Sequence, residues 1–384
     1  MKKIILKKSA LPKIKQKNLW IYKNEIKKLP DLKAGEIVDI YIGNEYLATG
    51  YINPDSKITV RILSFEKTDI NSLIRNRIKE AIQKRENLKS ITNAYRIIHS
   101  EADLLPGLIA DFYNGYIAIQ INTAGMENFR QLILDTLIET LSPEGIIDKS
   151  DEKVRKKEGL TTENKVLYGS IPDKILITEN NINFSIYLKE GQKTGFYLDQ
   201  RKNRKLVSEY VQTGFKVLDL FSNAGGFGIY CGKKGADFIK FVDVSDLALN
   251  QVQENCQLNG ITNFQTIKED AFDFLKKETD SYDLIIVDPP SFAKSRHERQ
   301  GALRGFKYLI VNSLKILNPK GYLAVFSCSH HISMQDLIDL TTSSAAITGD
   351  ILEIKEFMYQ DKDHPAVINM PNTLYLKGLL VQKR

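Results

Sequence analysis

"VLDLFSNAGGFGIYCG", residues 217–232, is the stretch on which the fold turns. An apolar run carrying Asp219 reads as a buried strand. Three glycines (Gly225, Gly226 and Gly228) follow within four positions, and a helix-like segment comes next. Strand, glycine turn and helix make a nucleotide-binding device with three common variants. A phosphate loop requires Lys and Ser/Thr directly after its last glycine, where this chain has "GFGIYC". A dinucleotide fingerprint, G-x-G-x-x-G, started at Gly226 meets Gly228 but then Cys231, with Gly232 one step late. That weakens a nicotinamide cofactor. The third variant holds a nucleoside bearing an amino acid and no pyrophosphate.

The downstream sequence suits that third ligand. "FIKFVDVS", "TIKED", "YDLIIVDPP" and "GYLAVFSCS" are further strand candidates, separated by helix-like segments such as "LALNQVQENCQLNG" and "ALRGFKYLIVNSLKIL". This alternation argues an α/β, doubly wound, parallel sheet that binds ligands beyond the carboxyl ends of its strands. Asp219, Asp243 and Asp270 fall at three successive strand ends. Asp219 is placed to take an ammonium group directly or through water, Asp243 both ribose hydroxyls, and Asp270 an adenine amine. Gly225 and Gly226 would let the backbone approach the ligand. An acidic series with no basic partner for phosphates describes S-adenosylmethionine better than NAD. Any one of these aspartates alone reads equally well as a turn or cap residue.

At 384 residues the chain has room for two or three domains. With 42% hydrophobic and 26% charged residues it is an ordinary globular composition. The basic start, "MKKIILKKSALPKIKQKNLW", lacks the apolar run of a signal peptide, and no stretch has the roughly 18 apolar residues of a membrane span. Cys231, Cys256 and Cys328 are too far apart for a disulfide framework or a zinc pattern. The expectation is a reducing, cytoplasmic address and no metal. Residues 1–100 hold 21 Lys+Arg against 10 Asp+Glu, a net +11, while the remainder holds 33 against 37, a net −4. A basic front half suits a polyanionic partner; a solvated lysine-rich surface is the bland alternative.

Residues 1–70 contain "EIVDIYI", "YLATGYIN" and "ITVRILSF", the short alternating runs of a small β-barrel or sandwich. In "LPKIKQKNLWIYKNEIKK" cations mix with aromatics, which suits phosphate contact plus base stacking; equally, Trp20 plugs the barrel core. Residues 71–190 are read as a connecting helix, with Leu73, Ile74, Ile78 and Ile82 on one stripe, and a central α/β unit. "INFSIYLKE" closes that unit, and the charged insert "DEKVRKKEG" at 151–159 is read as a solvated loop. Residues 191–384 form the doubly wound part.

Two strand ends carry the chemistry. Asp288-Pro289-Pro290 stiffens the chain as it leaves the sheet, and related Asp/Asn-Pro-Pro-aromatic tips methylate exocyclic amines of bases. Here Ser291 separates the prolines from Phe292, so that fit is loose. At "FSCS", Cys328 sits between two serines. A pyrimidine C5 is too weak a nucleophile to accept a methyl group unaided, but a thiolate added at C6 makes it enamine-like. This needs an accessible cysteine of lowered pKa beside an unstacked base. Asp288 could then hydrogen-bond the N3/N4 edge of cytosine. Alternatively, Cys328 is a small buried residue at a strand end. Cys231 and Cys256 are read as packing. His330 and His331 either tune Cys328, serve as base, or lie there by chance.

Together these residues resemble the RlmI-type bacterial 23S ribosomal RNA cytosine-C5 methyltransferases. The resemblance runs nearly the whole chain through "KNLWIY", "EADLLPGLIADFY", "GQKTGFYLDQRKNR", "LDLFSNAGGFG", "DPPSFAKS", "FSCS" and "DHPAV…LYLKGL". It implies a PUA-like RNA-binding domain, a central α/β domain, and a Rossmann-like class I methyltransferase domain whose mostly parallel sheet has an antiparallel last strand. It also implies Cys328 as nucleophile, Asp288 as its partner at the base, and S-adenosylmethionine as cofactor. The candidate cofactor-binding residues are Asp219, Phe221, Ser222, Asn223, Gly225, Gly226, Asp243, Val244, Ser245, Asp270 and Ala271. Gln200 and Arg201 would close that site from the N-terminal side; read without the resemblance, they are a loop and helix cap. "NAGGFG" departs from the commoner "YTGGFA" but keeps small residues at the turn. Large-subunit ribosomal RNA is the expected partner, no membrane is, and homodimerisation stays open. Methylation of a base nitrogen and a non-catalytic RNA-binding protein remain alternatives.

Overall fold

Ile42 faces Glu45 across the two-residue turn Gly43-Asn44, where Gly43 takes φ +60°. That left-handed turn suits the twist of a hairpin and starts the front sheet. The computed structural model describes residues 2–29, 31–189, 195–293 and 295–384. Strands Lys2–Ile5, Ile37–Ile42, Glu45–Ile52, Ile58–Ser64 and Trp20–Tyr22 lie in that spatial order. The first pair is parallel and the rest antiparallel. Ile4, Ile21, Val38, Ile40, Ala48, Val60 and Ile62 fill the core of this sheet. Trp20 is only half-buried against that core, and its indole N–H donates to Glu101 at 2.9 Å.

The helix Ile70–Gln83 is capped by Asp69, which accepts from the Ser72 N–H. It buries Ile70, Ile74, Ile78, Ala81 and Ile82; Leu73, expected on the stripe, lies at its edge, partly buried. A second five-stranded sheet runs in the order Val166–Gly169, Gly145–Asp148, Tyr116–Ile121, Leu108–Tyr113 and Ala94–His99. The insert at 151–159 is no solvated loop. Asp151 caps a helix, Glu152–Lys157, and Arg155 and Glu158 are buried. Glu158 accepts from Arg61 (2.9 Å), Ser56 (2.7 Å) and Asn53 (2.9 Å), so its charge is paired by residues about a hundred positions away. Local sequence could not show that pairing.

By contact the chain divides into two compact units, and the division departs from a simple succession along the sequence. Residues 178–186 belong to the second unit: the strand Ile182–Ile186 pairs with Ile175–Glu179 rather than closing the central sheet. Residues 362–373 belong to the first unit although late in sequence. There the Asp363 carbonyl accepts from buried Arg85 (3.0 Å), its carboxylate from the Arg96 N–H (3.0 Å), and Asn18 donates to the Asn369 carbonyl (3.2 Å). Arg85 also forms a bidentate pair with Asp103 at 2.7 and 2.8 Å.

The second unit is built on seven strands: β1 Lys216–Leu220, β2 Phe238–Asp243, β3 Phe264–Lys268, β4 Tyr282–Val287, β5 Leu317–Ser327, β6 Leu352–Tyr359 and β7 Lys377–Lys383. Their order is β3-β2-β1-β4-β5-β7-β6. The first five are mutually parallel, and β7 is antiparallel to both its neighbours. Helices α1 Arg201–Ser208, α2 Gly226–Lys233, α3 Asp246–Leu258, α4 Ala271–Lys277, α5 Arg299–Lys315 and α6 Met334–Thr348 accompany them. The near-continuous apolar runs of β1, β4 and β5 are those of strands covered on both faces; Leu218, Leu220, Ile285, Val287, Leu323 and Val325 pack under α5 and α6. Strand order reverses between β1 and β4, which opens a crevice at their carboxyl ends. Among the described residues, no helix is long and apolar enough to cross a membrane.

Candidate functional site

The turn after β1 is held in a conformation most sequences avoid. Phe221 and Asn223 take φ of +59° and +46°, and Gly225 takes +79°. Left-handed non-glycine residues persist only where the surroundings fix them, and here four hydrogen bonds do so. Asp219 accepts the Gly228 N–H at 2.9 Å, tying the strand to the start of α2. Asp243 accepts the Asn223 N–H at 2.9 Å and the Ser245 N–H at 3.0 Å, joining the turns after β1 and β2. Buried Asn255 of α3 donates to the Ala224 carbonyl at 3.1 Å. At Gly228 a Cβ would stand 2.3 Å from the Phe241 ring, so only glycine lets α2 lie this close to β2. At Gly226 the missing Cβ faces Arg204, whose guanidinium pairs with Glu179 at 2.8 Å through each of two nitrogens.

Three of the expected carboxylates differ in burial. Asp219 is wholly enclosed, and burial pushes its carboxyl up to about 8; the Gly228 N–H opposes this, and the charges of Asp288 and Asp243 reinforce it. Asp243 is partly exposed, with both oxygens already accepting backbone N–H groups. Asp270 is exposed and caps α4 through the Phe272 N–H at 2.8 Å, while Ala271 is buried. Val244 is 62% exposed beside them. Ser222 is buried, and its Oγ finds no hydrogen-bond partner among the described residues. An orphaned buried hydroxyl is costly, and a polar group of a ligand in the crevice would satisfy it. A half-exposed carboxylate, a buried one and an unmatched hydroxyl around one strained turn fit a nucleoside carrying a cationic amino acid.

Gln200 and Arg201 both engage the protein's own carboxylates. Gln200 donates to Asp288 at 3.0 Å while its carbonyl accepts from Asn203 at 2.6 Å. Arg201, fully buried, pairs with Asp361 at 2.8 Å. Asp288 thus leaves β4 held by an amide, followed by two prolines. Phe292 anchors the loop in a ring cluster with Phe221, Phe272 and Phe306, centroids 5.3–6.3 Å apart. A cavity of about 480 Å³ opens beside Phe272 and Phe292, with His297, Glu298 and Arg304 on its walls.

Beyond β5 the "SCS" tip separates its three side chains. Ser327 and Ser329 are buried, and Cys328 is partly exposed. Ser329 Oγ donates to the Ala293 carbonyl at 2.8 Å, binding this tip to the loop that follows Asp288. Cys231 and Cys256 are buried, which drives their thiols well above the usual range and up to about 12, respectively. His330 is held below its ordinary pKa by its crowded surroundings and then by the charge of Lys377. Sequence reasoning did not single out Arg204, Asn255 or Lys377, which the structure places against the glycine turn and the cysteine tip. Arg204 and Lys377 lie inside motifs that the resemblance had already drawn out, and Asn255 betrays itself as an amide buried on the sheet-facing side of α3.

A PUA-like domain model matches residues 4–65, and an S-adenosylmethionine-dependent methyltransferase model matches residues 154–363. Curated relatives named ribosomal RNA large subunit methyltransferase I from Tolumonas auensis and Aeromonas salmonicida are each 36% identical. The first alignment covers 99% of this chain and 98% of the relative, the second 99% of both. Among solved structures, a protein from Streptococcus mutans assigned as an S-adenosylmethionine-dependent methyltransferase aligns over the whole of both chains with a TM-score of 0.85 at 22% identity. SMU.776, solved in complex with S-adenosylhomocysteine, does so with a TM-score of 0.87 at 22% identity. The strained turn, the reversed strand order and the antiparallel β7 agree with the full-length match: this chain belongs to the S-adenosylmethionine-dependent methyltransferase family whose curated members are named ribosomal RNA large subunit methyltransferase I.

Proposed function

We propose that this protein methylates C5 of a cytosine in large-subunit ribosomal RNA through a covalent bond to Cys328. The observation that carries this reading is the position of Cys328. Of three thiols it alone reaches the surface, at a strand tip tied by Ser329 to the loop of Asp288. Residues 1–70 would dock the RNA, 71–190 would supply most of the central domain and 191–384 most of the domain that carries the transfer, with 178–186 and 362–373 exchanged between them; a cytoplasmic address follows from the substrate.

Bound in the crevice, S-adenosylmethionine supplies an electrophilic methyl group. Asp243 would receive the ribose hydroxyls, since a carboxylate has lone pairs to spare beyond its two backbone bonds. Asp219, enclosed as it is, would act on the ammonium group through water. Asp270 would accept from the adenine amine through the oxygen not capping α4. Phe221, Ser222, Asn223, Gly225, Gly226, Val244, Ser245 and Ala271 would form the walls, while Gln200 and Arg201 serve as scaffold behind them. At the base, the Cys328 thiolate adds to C6, forming the Sγ–C6 bond and moving the C5=C6 electron pair toward C5. C5 would then take the methyl group that S-adenosylmethionine supplies, and loss of the C5 proton to water would reform the double bond and expel Sγ. Asp288, steadied by Gln200, would hold the N3/N4 edge of the cytosine during addition.

The Asp-Pro-Pro tip favours a second reading, transfer to a base nitrogen with Cys328 purely structural. Cys328→Ala separates the two. Under covalent catalysis it binds S-adenosylmethionine with unchanged affinity by calorimetry and loses at least about a thousandfold in methyl transfer. Wild-type turnover by this variant, or label mapped to a nitrogen, would refute the C5 assignment. Affinity for RNA without any methyl transfer by the wild type would indicate a binding protein.

A further inference from the structure

Lys377 lies in "LYLKGL", a motif to which the proposed reaction assigns no role. It begins β7, opposite Ser327 in the register with β5, so its side chain arrives beside the cysteine tip. That side chain is buried, and its Nζ donates to the Ser329 carbonyl at 2.7 Å, one residue past Cys328. An enclosed ammonium is expensive unless an anion accompanies it, and an apolar side chain would fill the same space without that cost. Two groups act attractively on it, Cys328 first and Asp336 second. Asp336 is already committed: it takes Arg299 at 2.6 Å and the Ser333 N–H and hydroxyl at 2.8 and 2.9 Å. Among the described residues, His330 and His331 on the tip, Tyr375 against the His330 ring and Arg299 on α5 also stand about this tip, and none of these is a carboxylate.

We propose that Lys377 is a positioning residue that pins the "SCS" tip through the Ser329 carbonyl and holds Cys328 as the thiolate. The inference rests on the covalent reading of Cys328. The thiol proton leaves to solvent before RNA binds, so the Sγ–C6 bond forms without a further proton transfer at sulfur. Burial lowers Lys377 to about 8, with Cys328 opposing that fall; below that value the ammonium form dominates, so the cation is in place at neutral pH.

The test is the rate of iodoacetamide labelling of Cys328 in the full-length protein against pH, read by mass spectrometry of its peptide without RNA. Wild type should show a midpoint at least about one pH unit below the 8.5 of a free cysteine. Lys377→Met should raise it by about one pH unit or more and slow labelling near neutral pH roughly tenfold, while Lys377→Arg restores most of the wild-type behaviour. Both variants should bind S-adenosylmethionine as wild type does. A wild-type midpoint at or above that of free cysteine overturns the proposal even if the methionine variant does not fold, and so do equal midpoints in wild type and Lys377→Met. Since labelling needs no RNA, a lowered midpoint with methyl found on nitrogen would sink the C5 reading alone. An ordinary midpoint with 5-methylcytosine as product would sink the ion pair alone.

Discussion

Asp219→Asn measures what the enclosed carboxylate costs. Its ordinary value is 3.8, and burial raises the folded-state value to about 8. The folded chain therefore holds this proton more tightly than the unfolded chain. The group's contribution to stability is complete below the unfolded value and is lost as pH rises toward and through the folded one. Integrated from about pH 5.5 to pH 8, the loss is on the order of 3 kcal/mol, since each pH unit in that window removes about 1.36 kcal/mol. Asparagine keeps an acceptor for the Gly228 N–H and cannot ionise. The variant should match wild type near pH 5.5 and exceed it by about 3 kcal/mol near pH 8. Urea unfolding followed by circular dichroism at both values reads this, with alkylation of buried Cys231 reporting opening of the second unit. A cofactor ammonium drawn to the ionised form would make wild-type affinity climb toward pH 8 while the variant's stays flat. Parallel stability profiles for the two proteins, or a variant less stable at the higher pH, would refute the reasoning.

Two further substitutions test the packing. Gly228→Ala places a methyl group 2.3 Å from the Phe241 ring; it should cost about 2–3 kcal/mol and weaken S-adenosylmethionine binding by calorimetry, and a loss under about 0.5 kcal/mol would show that α2 can shift freely. Glu158→Ala strands buried Arg61 and the donors of Asn53 and Ser56; it should cost about 3–5 kcal/mol, read by the fluorescence of Trp20 during urea unfolding, with a loss under about 1 kcal/mol counting against a buried pair.

What could be read from the sequence was what is local in the chain. Strand, glycine turn and helix at 217–232, the aspartates closing β1 and β2, and the cysteine after β5 each sit within a few residues of their own signal. What was hidden depends on partners far along the chain. Lys377 meets Ser329 across 48 residues, Gln200 meets Asp288 across 88, and Arg61 meets Glu158 across 97. The insert at 151–159 looked like a solvated loop because its charges are visible in sequence and their neutralising partners are not. Strand 182–186 misled for the same reason: its alternation announces a strand, and nothing in it names the sheet it joins.

Residues 362–373 leave β6, pack with the first unit and return to β7. The two units are therefore interlaced along the chain, and no single cut separates them. During synthesis Arg85 and Arg96 emerge 278 and 267 residues before Asp363, which supplies the carbonyl and carboxylate that meet them. A nascent chain must wait that long with Arg85 lacking one of its acceptors. Its birth should depend on holdase chaperones more than its finished stability would suggest.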